Sequence, residues 1–254
     1  MMGILSNWIL LANSAVGNAN IIYRGFYVLA FLTIFVFNFI YGKRFGIKKG
    51  KSLLVTVLSY LLIFLWAYIL AWVESLFTDW GHHNAVRVYI WMPLLLFVLS
   101  KPMSIDWKKL CDFIAPSACI VYGIARLGCL FPGCCYGIPV KWGKWGVYSV
   151  QIKQIVFPVQ LCEAVTALVL AGLALILNKR KKYVADAKTY FIILIPYGIS
   201  RFIWEFFADN EKVFFNISSL ALHALLMSVV GAAMLIILHQ KDKKLLSGKK
   251  EAAR

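Results

Sequence analysis

Charged residues are scarce in this chain, and acidic residues are the scarcest of them. Only 15% of the 254 residues are charged, 11 of them acidic against 27 basic, while 61% are hydrophobic. A soluble domain is usually about one-quarter charged and about half apolar. Apolar runs of roughly twenty residues recur along the chain, which is the length a helix needs to cross a bilayer. The composition therefore excludes an ordinary soluble domain and predicts an all-α integral membrane protein.

Two further signals are absent. The first twenty-three residues contain no positively charged segment ahead of an apolar core, so no cleavable signal peptide is predicted. No internal repeat is evident, which argues against an inverted-repeat transporter. Residues 1–20 are instead expected to form a short, partly apolar leader at the outer membrane surface.

The excess of basic residues gives a net charge of +16. In a soluble protein this charge would suggest a nucleic-acid partner. Here the lysines lie in short loops between apolar runs, where they set membrane orientation and contact anionic lipid. The pattern predicts a membrane partner and no nucleic acid.

Seven apolar segments predict about seven transmembrane helices. The predicted spans are residues 21–41, 53–73, 88–99, 113–130, 156–177, 190–207 and 213–238. Lysine-rich segments follow the first, third, fifth and seventh spans, which places the N-terminus outside and the C-terminus in the cytoplasm. We expect one membrane domain, with an outer leader over residues 1–20, a seven-helix core over 21–238 and a basic cytoplasmic tail over 239–254.

Ionisable and amide side chains gather near the predicted outer ends of the spans. They are Arg24, Arg87, Arg126, Gln160, Glu163, Arg201 and Glu205. Charges at membrane depth are costly and usually mark a functional site. Guanidinium groups bind phosphate in a bidentate fork, and the phosphate at this depth is a phospholipid headgroup. The pattern predicts a polar chamber, open to the outer leaflet, that binds or processes a phospholipid.

The sixth span carries Tyr197, Arg201 and Glu205 at intervals of four residues, so these side chains share one helix face. One interpretation is a structural Arg201–Glu205 pair that only locks the helix. Arg126 and Glu163 at the same depth favour a functional site instead.

A stretch rich in glycine and cysteine follows the fourth span. Glycines and a proline predict irregular backbone, which a membrane tolerates where it lines a cavity or is buried in protein. Three interpretations are open for Cys129, Cys134 and Cys135, with Cys162 as a possible neighbour: inert packing, a disulfide, or a metal site or activated thiol beside Arg126. The spacing is not that of a standard zinc motif.

Three ordered segments resemble the prolipoprotein diacylglyceryl transferase family. The first combines residues 114–116 (Ile-Ala-Pro), 125–128 (Ala-Arg-Leu-Gly) and 133–137 (Gly-Cys-Cys-Tyr-Gly), the second is residues 157–164, and the third is residues 197–206. The resemblance implies a multi-pass enzyme of the bacterial plasma membrane with seven spans. Such an enzyme transfers the diacylglyceryl group of phosphatidylglycerol to a lipobox cysteine of a prolipoprotein on the outer face. No cofactor is expected.

The resemblance also assigns roles to residues. It implies that Arg126 and Arg201 match two essential arginines, which act in catalysis with Glu163 and Glu205. The expected substrate-binding residues are Arg126, Arg201, Gln160, Tyr197, Gly128, Gly137, Cys129 and Cys134.

Several positions depart from the family pattern. Cys129, Pro132 and Cys134 occupy positions of two asparagines and a glutamate, and Phe157 that of a histidine. A His-Gly-Gly element is missing, and His82, His83 and Asn84 do not align with it.

These departures keep alternatives open. One is a covalent role, in which Cys129 or Cys134 takes a glyceryl or acyl group before passing it on. Others are a non-catalytic phospholipid binder or lipid carrier, and a thiol-redox membrane protein in which Cys134 or Cys135 cycles.

Overall fold

The computed structural model describes residues 19–76, 88–141, 146–180, 186–210 and 217–251. Within these ranges the seven α-helices are α1 (Ala19–Tyr41), α2 (Lys49–Ser75), α3 (Val88–Met103), α4 (Trp107–Cys129), α5 (Val159–Lys179), α6 (Lys188–Glu205) and α7 (Ser219–Glu251). Five of them (α1, α2, α4, α5 and α7) are long and apolar enough to cross a membrane, and α3 is a shorter apolar helix. The prediction of an all-α membrane protein is confirmed. The orientation stays a prediction, and nearly all of the expected leader lies outside the described residues.

Helix α4 is the central helix of the bundle. It packs against α1, α3, α5 and α6, and 72% of its most apolar stretch is buried, against 22% for α1 and for α2. By contrast, α1 exposes Val28, Leu32 and Val36, which are spaced four residues apart and so share one face. An exposed apolar stripe on a long helix is expected to face lipid.

Two predicted helix boundaries were wrong because capping side chains, rather than hydropathy, determine where these helices begin. Helix α4 starts six residues before the predicted span, where the Asp106 side chain accepts a hydrogen bond from Lys108 N at 3.0 Å. Helix α7 starts at Ser219, where Ser218 Oγ accepts one from Ala221 N at 3.1 Å. It then continues to Glu251, so residues 239–251 of the expected tail are helical.

A short hairpin follows α4, which the sequence analysis did not predict. Strand β1 (Val147–Ser149) pairs antiparallel with β2 (Gln154–Val156). Two isolated bridges, Gly137–Ala208 and Pro139–Val156, join the segment after α4 to the end of α6 and to the hairpin. The ends of α4 and α6 and the start of α5 are thereby held together.

At the opposite end of α4, a buried carboxylate fastens α6 to the bundle. Asp112 accepts hydrogen bonds from the backbone N–H groups of Asp186, Ala187 and Tyr190 at 2.9–3.2 Å. These groups lie at the start of α6, where a helix leaves N–H groups without internal partners and favours negative charge. Asn178 Nδ2 donates to the Asp112 carbonyl at 2.8 Å, which adds the end of α5. We call this cluster the Asp112 junction.

Replacing Asp112 with alanine should lower the free energy of unfolding by about 3 kcal/mol, because buried N–H groups would lose a charged acceptor. Thermal denaturation in detergent measures this loss. Asp106→Ala is the matched control, since that exposed cap should cost only about 1 kcal/mol. Equal losses in the two variants would contradict a special contribution of the Asp112 junction.

Candidate functional site

Arg126 lies in the last turn of α4 and is 9% exposed. The helix ends three residues later, and the chain turns back through Gly133 and Cys135, both with positive φ. Arg126 Nε lies 2.8 Å from the Tyr122 hydroxyl, one turn earlier on α4. The guanidinium also lies over the Tyr122 ring, 5.1 Å from its centroid. These contacts hold the Arg126 guanidinium at the end of the bundle where α4 ends.

Glu163, in the first turns of α5, connects two arginines. Its Oε2 lies 2.5 Å from Arg126 Nε, and its Oε1 lies 2.9 Å from Arg201 Nη1. The Tyr122 hydroxyl donates to the same Oε2 at 2.9 Å. One buried carboxylate therefore links the end of α4 to the end of α6.

Glu205 completes the ion network on α6. Its Oε2 lies 2.6 Å from Arg201 Nη1, one helical turn away. Its Oε1 accepts hydrogen bonds from Asn210 Nδ2 at 2.5 Å and Ser218 Oγ at 2.7 Å. Every carboxylate oxygen of Glu163 and Glu205 thus has a cation or a hydrogen-bond donor within 3 Å, although Glu205 Oε2 meets Arg201 only as an ion pair without hydrogen-bond alignment. The network contains two cations and two anions, so its net charge is zero.

Arg201 keeps unused donor capacity although it is only 4% exposed. Its Nη1 contacts both carboxylates without hydrogen-bond alignment, and its Nε has no partner among the described residues. The buried Tyr197 hydroxyl likewise has none there. Both side chains line a small cavity, whose other lining residues are Tyr122, Glu163, Thr166, Ser200 and Trp204. Buried donors normally have acceptors, so this cavity suits an oxygen-rich ligand.

A second small cavity adjoins the first. It shares Tyr122 and Tyr197 with the ion network and is lined by apolar side chains and two further tyrosines, Tyr89 and Tyr190. The Tyr197 ring makes edge contacts with Tyr89 and Tyr122, with centroids 5.3 and 5.5 Å apart. A charged region thus lies directly beside an apolar one.

Of the eight residues expected to bind substrate, only Arg201 and Tyr197 line either of these cavities. Three of the others have close protein neighbours. Gln160 Nε2 donates to the Cys134 carbonyl at 2.8 Å and so holds the turn after α4. A side chain at Gly128 would place its Cβ 2.7 Å from Phe26 Cβ on α1. Gly137 faces the Phe207 carbonyl and Val159 at equally short range. These residues shape the site through the backbone around it.

Gly137→Ala adds only one methyl group, but it should nevertheless destabilise the protein. The new methyl group would overlap the Phe157 and Phe207 carbonyl oxygens. These backbone atoms lie beside the two isolated β-bridges described above, so moving them away would cost further free energy. Overpacking of this kind costs about 1–3 kcal/mol or more, so the denaturation temperature in detergent should fall.

Gly172→Ala on α5 is the matched control for this change. Nothing lies within 4 Å of its Cβ position, so the control should gain about 0.5–1 kcal/mol from helix propensity. A Gly137→Ala protein as stable as this control would contradict the close backbone approach.

The three cysteines after Arg126 differ in exposure. Cys129 is buried, Cys134 is half-buried and Cys135 is exposed. All six cysteines of the chain are free, so the disulfide alternative does not match the structure. In the described part of the chain, no three histidine, cysteine or acidic side chains are arranged to hold a metal ion.

Other predicted residues lie elsewhere. Arg24 is exposed on α1 and takes no part in the ion network. Arg87, His82, His83 and Asn84 lie outside the described residues. Tyr122 was not among the predicted site residues. Its position four residues before Arg126 was a usable signal, because side chains at that spacing meet on a helix.

Comparison with known proteins identifies one family and several distant relatives. A family model described as prolipoprotein diacylglyceryl transferase matches residues 27–237. A phosphatidylglycerol–prolipoprotein diacylglyceryl transferase of Clostridium tetani is 24% identical over 121 residues, 46% of this chain and 48% of that protein. The corresponding transferase 2 of Clostridium perfringens is 26% identical over 215 residues, 81% of this chain and 77% of that protein. The transferase of Streptococcus uberis is 22% identical over 192 residues, 72% of this chain and 73% of that protein.

Proposed function

This chain belongs to the prolipoprotein diacylglyceryl transferase family, and from that premise we propose that it is a membrane enzyme acting on a phospholipid. In this proposal it transfers the diacylglyceryl group of phosphatidylglycerol to the thiol of a lipobox cysteine in a prolipoprotein. The reaction takes place on the outer face of the bacterial plasma membrane. The activity for which the relatives are named and the geometry of the site support this function.

The observation that carries the proposal is the pair of buried arginines joined by Glu163. An unpaired buried charge is unstable, so these cations need a partner that holds them in place before substrate arrives. Arg201 retains donors directed at neither carboxylate, and these suit the oxygens of a phosphodiester. The adjoining cavity is lined by apolar side chains, so an apolar surface lies directly beside these donors, as it does where a lipid headgroup meets its hydrocarbon chains.

The chemistry follows from where charge develops. The acceptor sulfur attacks the glyceryl carbon that carries the phosphoester oxygen, a C–S bond forms, and the C–O bond breaks. Glycerol phosphate leaves with the electron pair of the broken bond, so negative charge grows on its phosphate. Arg126 and Arg201 would stabilise that charge in a water-poor site, where fixed cations are most effective. Glu163 and Glu205 would orient the two guanidinium groups.

Lipid binding without catalysis is a second candidate. One observation favours it: each carboxylate of the network is already paired with an arginine, and a neighbouring cation makes a carboxylate a weaker acceptor for the proton of an incoming thiol.

The test uses purified protein in phospholipid vesicles with acyl-labelled phosphatidylglycerol and a lipobox peptide. The proposal expects labelled peptide and an equal amount of released glycerol phosphate, with neither formed when the peptide cysteine is serine. Retention of labelled lipid without either product would overturn the transferase proposal and support the binder.

A further inference from the structure

The Ser218 hydroxyl makes two hydrogen bonds at the start of α7. It donates to Glu205 Oε1 at 2.7 Å and accepts from Ala221 N at 3.1 Å. One buried hydroxyl thus caps α7 and also contacts the ion network. Because its single proton is directed to Glu205, this hydroxyl cannot donate to a phosphate oxygen. Any effect of the hydroxyl on a bound phosphate must therefore pass through the Glu205 carboxylate.

The place of Glu205 in the fold explains why it needs this donor. Glu205 is the last residue of α6, where the helix dipole disfavours negative charge. It is also buried, so hydrogen bonds from the protein must replace those from water. The start of α7 is the end of a helix that favours an anion, and Ser218 supplies a donor from there. The end of α6 and the start of α7 are joined through this one carboxylate.

The two oxygens of Glu205 have different partners. Oε1 accepts hydrogen bonds from Ser218 and Asn210, whereas Oε2 lies 2.6 Å from Arg201 Nη1. The contact with Arg201 has no hydrogen-bond alignment, so it does not by itself fix the direction of the carboxylate. The hydrogen bonds on Oε1 fix that direction, and they thereby set where the negative charge lies relative to Arg201.

We propose that Ser218 is a positioning residue for transfer. By orienting Glu205 it keeps the Arg201 guanidinium beside the small cavity that this arginine lines. The inference rests on the proposed function, in which Arg201 stabilises the charge that grows on the departing phosphate. Ser218 itself exchanges no proton and forms no bond in the reaction.

A second serine of α7 provides a matched control. Ser228 Oγ donates to the Ile195 carbonyl of α6 at 3.0 Å, and the side chain is buried to a similar degree as Ser218. Both serines therefore tie α7 to α6, but the hydrogen bonds of Ser228 go to backbone carbonyls and not to the ion network. Ser228→Ala tests the loss of an interhelical hydrogen bond without a change at Glu205.

The first experiment separates the donor role of Ser218 from its capping role, using transfer from labelled phosphatidylglycerol to a lipobox peptide. Ser218→Ala loses both roles, Ser218→Asp can still cap α7 but cannot donate to Glu205, and Ser218→Thr keeps both. The first two should lose about tenfold in kcat, the scale of one hydrogen bond to a charged group. KM should change little, because the phosphate gains charge only in the transition state. Ser218→Thr should retain most of the activity and Ser228→Ala all of it.

Two outcomes of this experiment would overturn the positioning role. One is an unchanged kcat, per amount of folded protein, in Ser218→Ala and Ser218→Asp. The other is a loss in Ser218→Ala that Ser218→Asp restores, because capping alone would then explain the effect.

The second experiment tests the contact without requiring transfer. Ser218→Asp is compared by thermal denaturation in detergent in the unsubstituted chain and in the Glu205→Gln chain. In the first, a second carboxylate would face Glu205, and like charges at this distance repel, so the denaturation temperature should fall. In the second, the glutamine amide can donate to the new carboxylate, so the fall should be smaller. Equal falls would mean that the two residues are not coupled and would overturn the proposal.

The two proposals can fail separately. If the unsubstituted protein performs no transfer, the proposed function and the positioning role both fall, while unequal falls in denaturation temperature would still establish the contact between Ser218 and Glu205. If the unsubstituted protein is active and Ser218→Ala keeps its kcat, only the positioning role falls.

Discussion

Arg126→Ala and Arg201→Ala should each reduce kcat/KM for diacylglyceryl transfer by roughly 100- to 1000-fold, the usual cost of removing one group that stabilises charge in a transition state. Each substitution removes a buried cation of the shared network. The loss should fall mainly on kcat, because the phosphate gains charge only as the C–O bond breaks. The measurement is steady-state transfer from labelled phosphatidylglycerol to a lipobox peptide.

Two further variants sharpen this result. Arg201→Lys keeps the charge but loses the planar donor fork, so its activity should lie between those of Arg201→Ala and the unsubstituted protein. Arg24→Ala is the matched control: it removes an exposed arginine of α1 that takes no part in the ion network and should retain full activity. Equal loss of activity in Arg24→Ala and Arg201→Ala would mean that general positive charge, rather than the buried network, supports transfer.

Glu163→Gln should destabilise the bundle by about 3–5 kcal/mol, because removing one partner of a buried ion pair leaves charge uncompensated. The effect is large because the single carboxylate serves Arg126 and Arg201 together. Glutamine keeps the volume of the side chain, so the loss reports charge rather than packing. Transfer should also fall sharply, since the two guanidinium groups would repel each other. Thermal denaturation in detergent and the transfer assay measure the two effects.

Glu205→Gln is the comparison for this prediction. Its side-chain oxygen could still accept the hydrogen bonds from Asn210 and Ser218, and only one arginine would lose a partner. Its loss of stability should therefore be smaller than that of Glu163→Gln. Should Glu163→Gln prove the less destabilised of the two, the assignment of Glu163 as the common partner would be wrong.

The positions of the helices follow from the sequence more directly than their ends do. Apolar runs located the seven helices of the described ranges, and five of these are as long and apolar as a membrane span must be. Hydropathy could not place the start of α4, because Asp106 and two lysines around that start are polar. Nor could it predict the hairpin over residues 147–156, since pairing there depends on a contact with the segment after Gly137.

The residues of the ion network could be predicted from the sequence, but the contacts between them could not. Membrane depth grouped Arg126, Glu163, Arg201 and Glu205, and helical spacing paired the last two. The sequence could not reveal that Glu163 contacts both arginines, because that depends on how α4, α5 and α6 cross. Small residues govern such crossings: a Cβ at Gly198 on α6 would overlap the backbone and Ser228 of α7.

The Asp112 junction has a consequence for how this sequence can change over evolutionary time. Asp112 and Arg126 belong to the same helix and are fourteen residues apart, about 21 Å at the rise of an α-helix. The changes in the free energy of unfolding caused by two substitutions that far apart are expected to be additive. The Asp112 junction joins α4, α5 and α6 at the end of α4 away from Arg126, so substitutions in the turn after Arg126 should leave that junction intact.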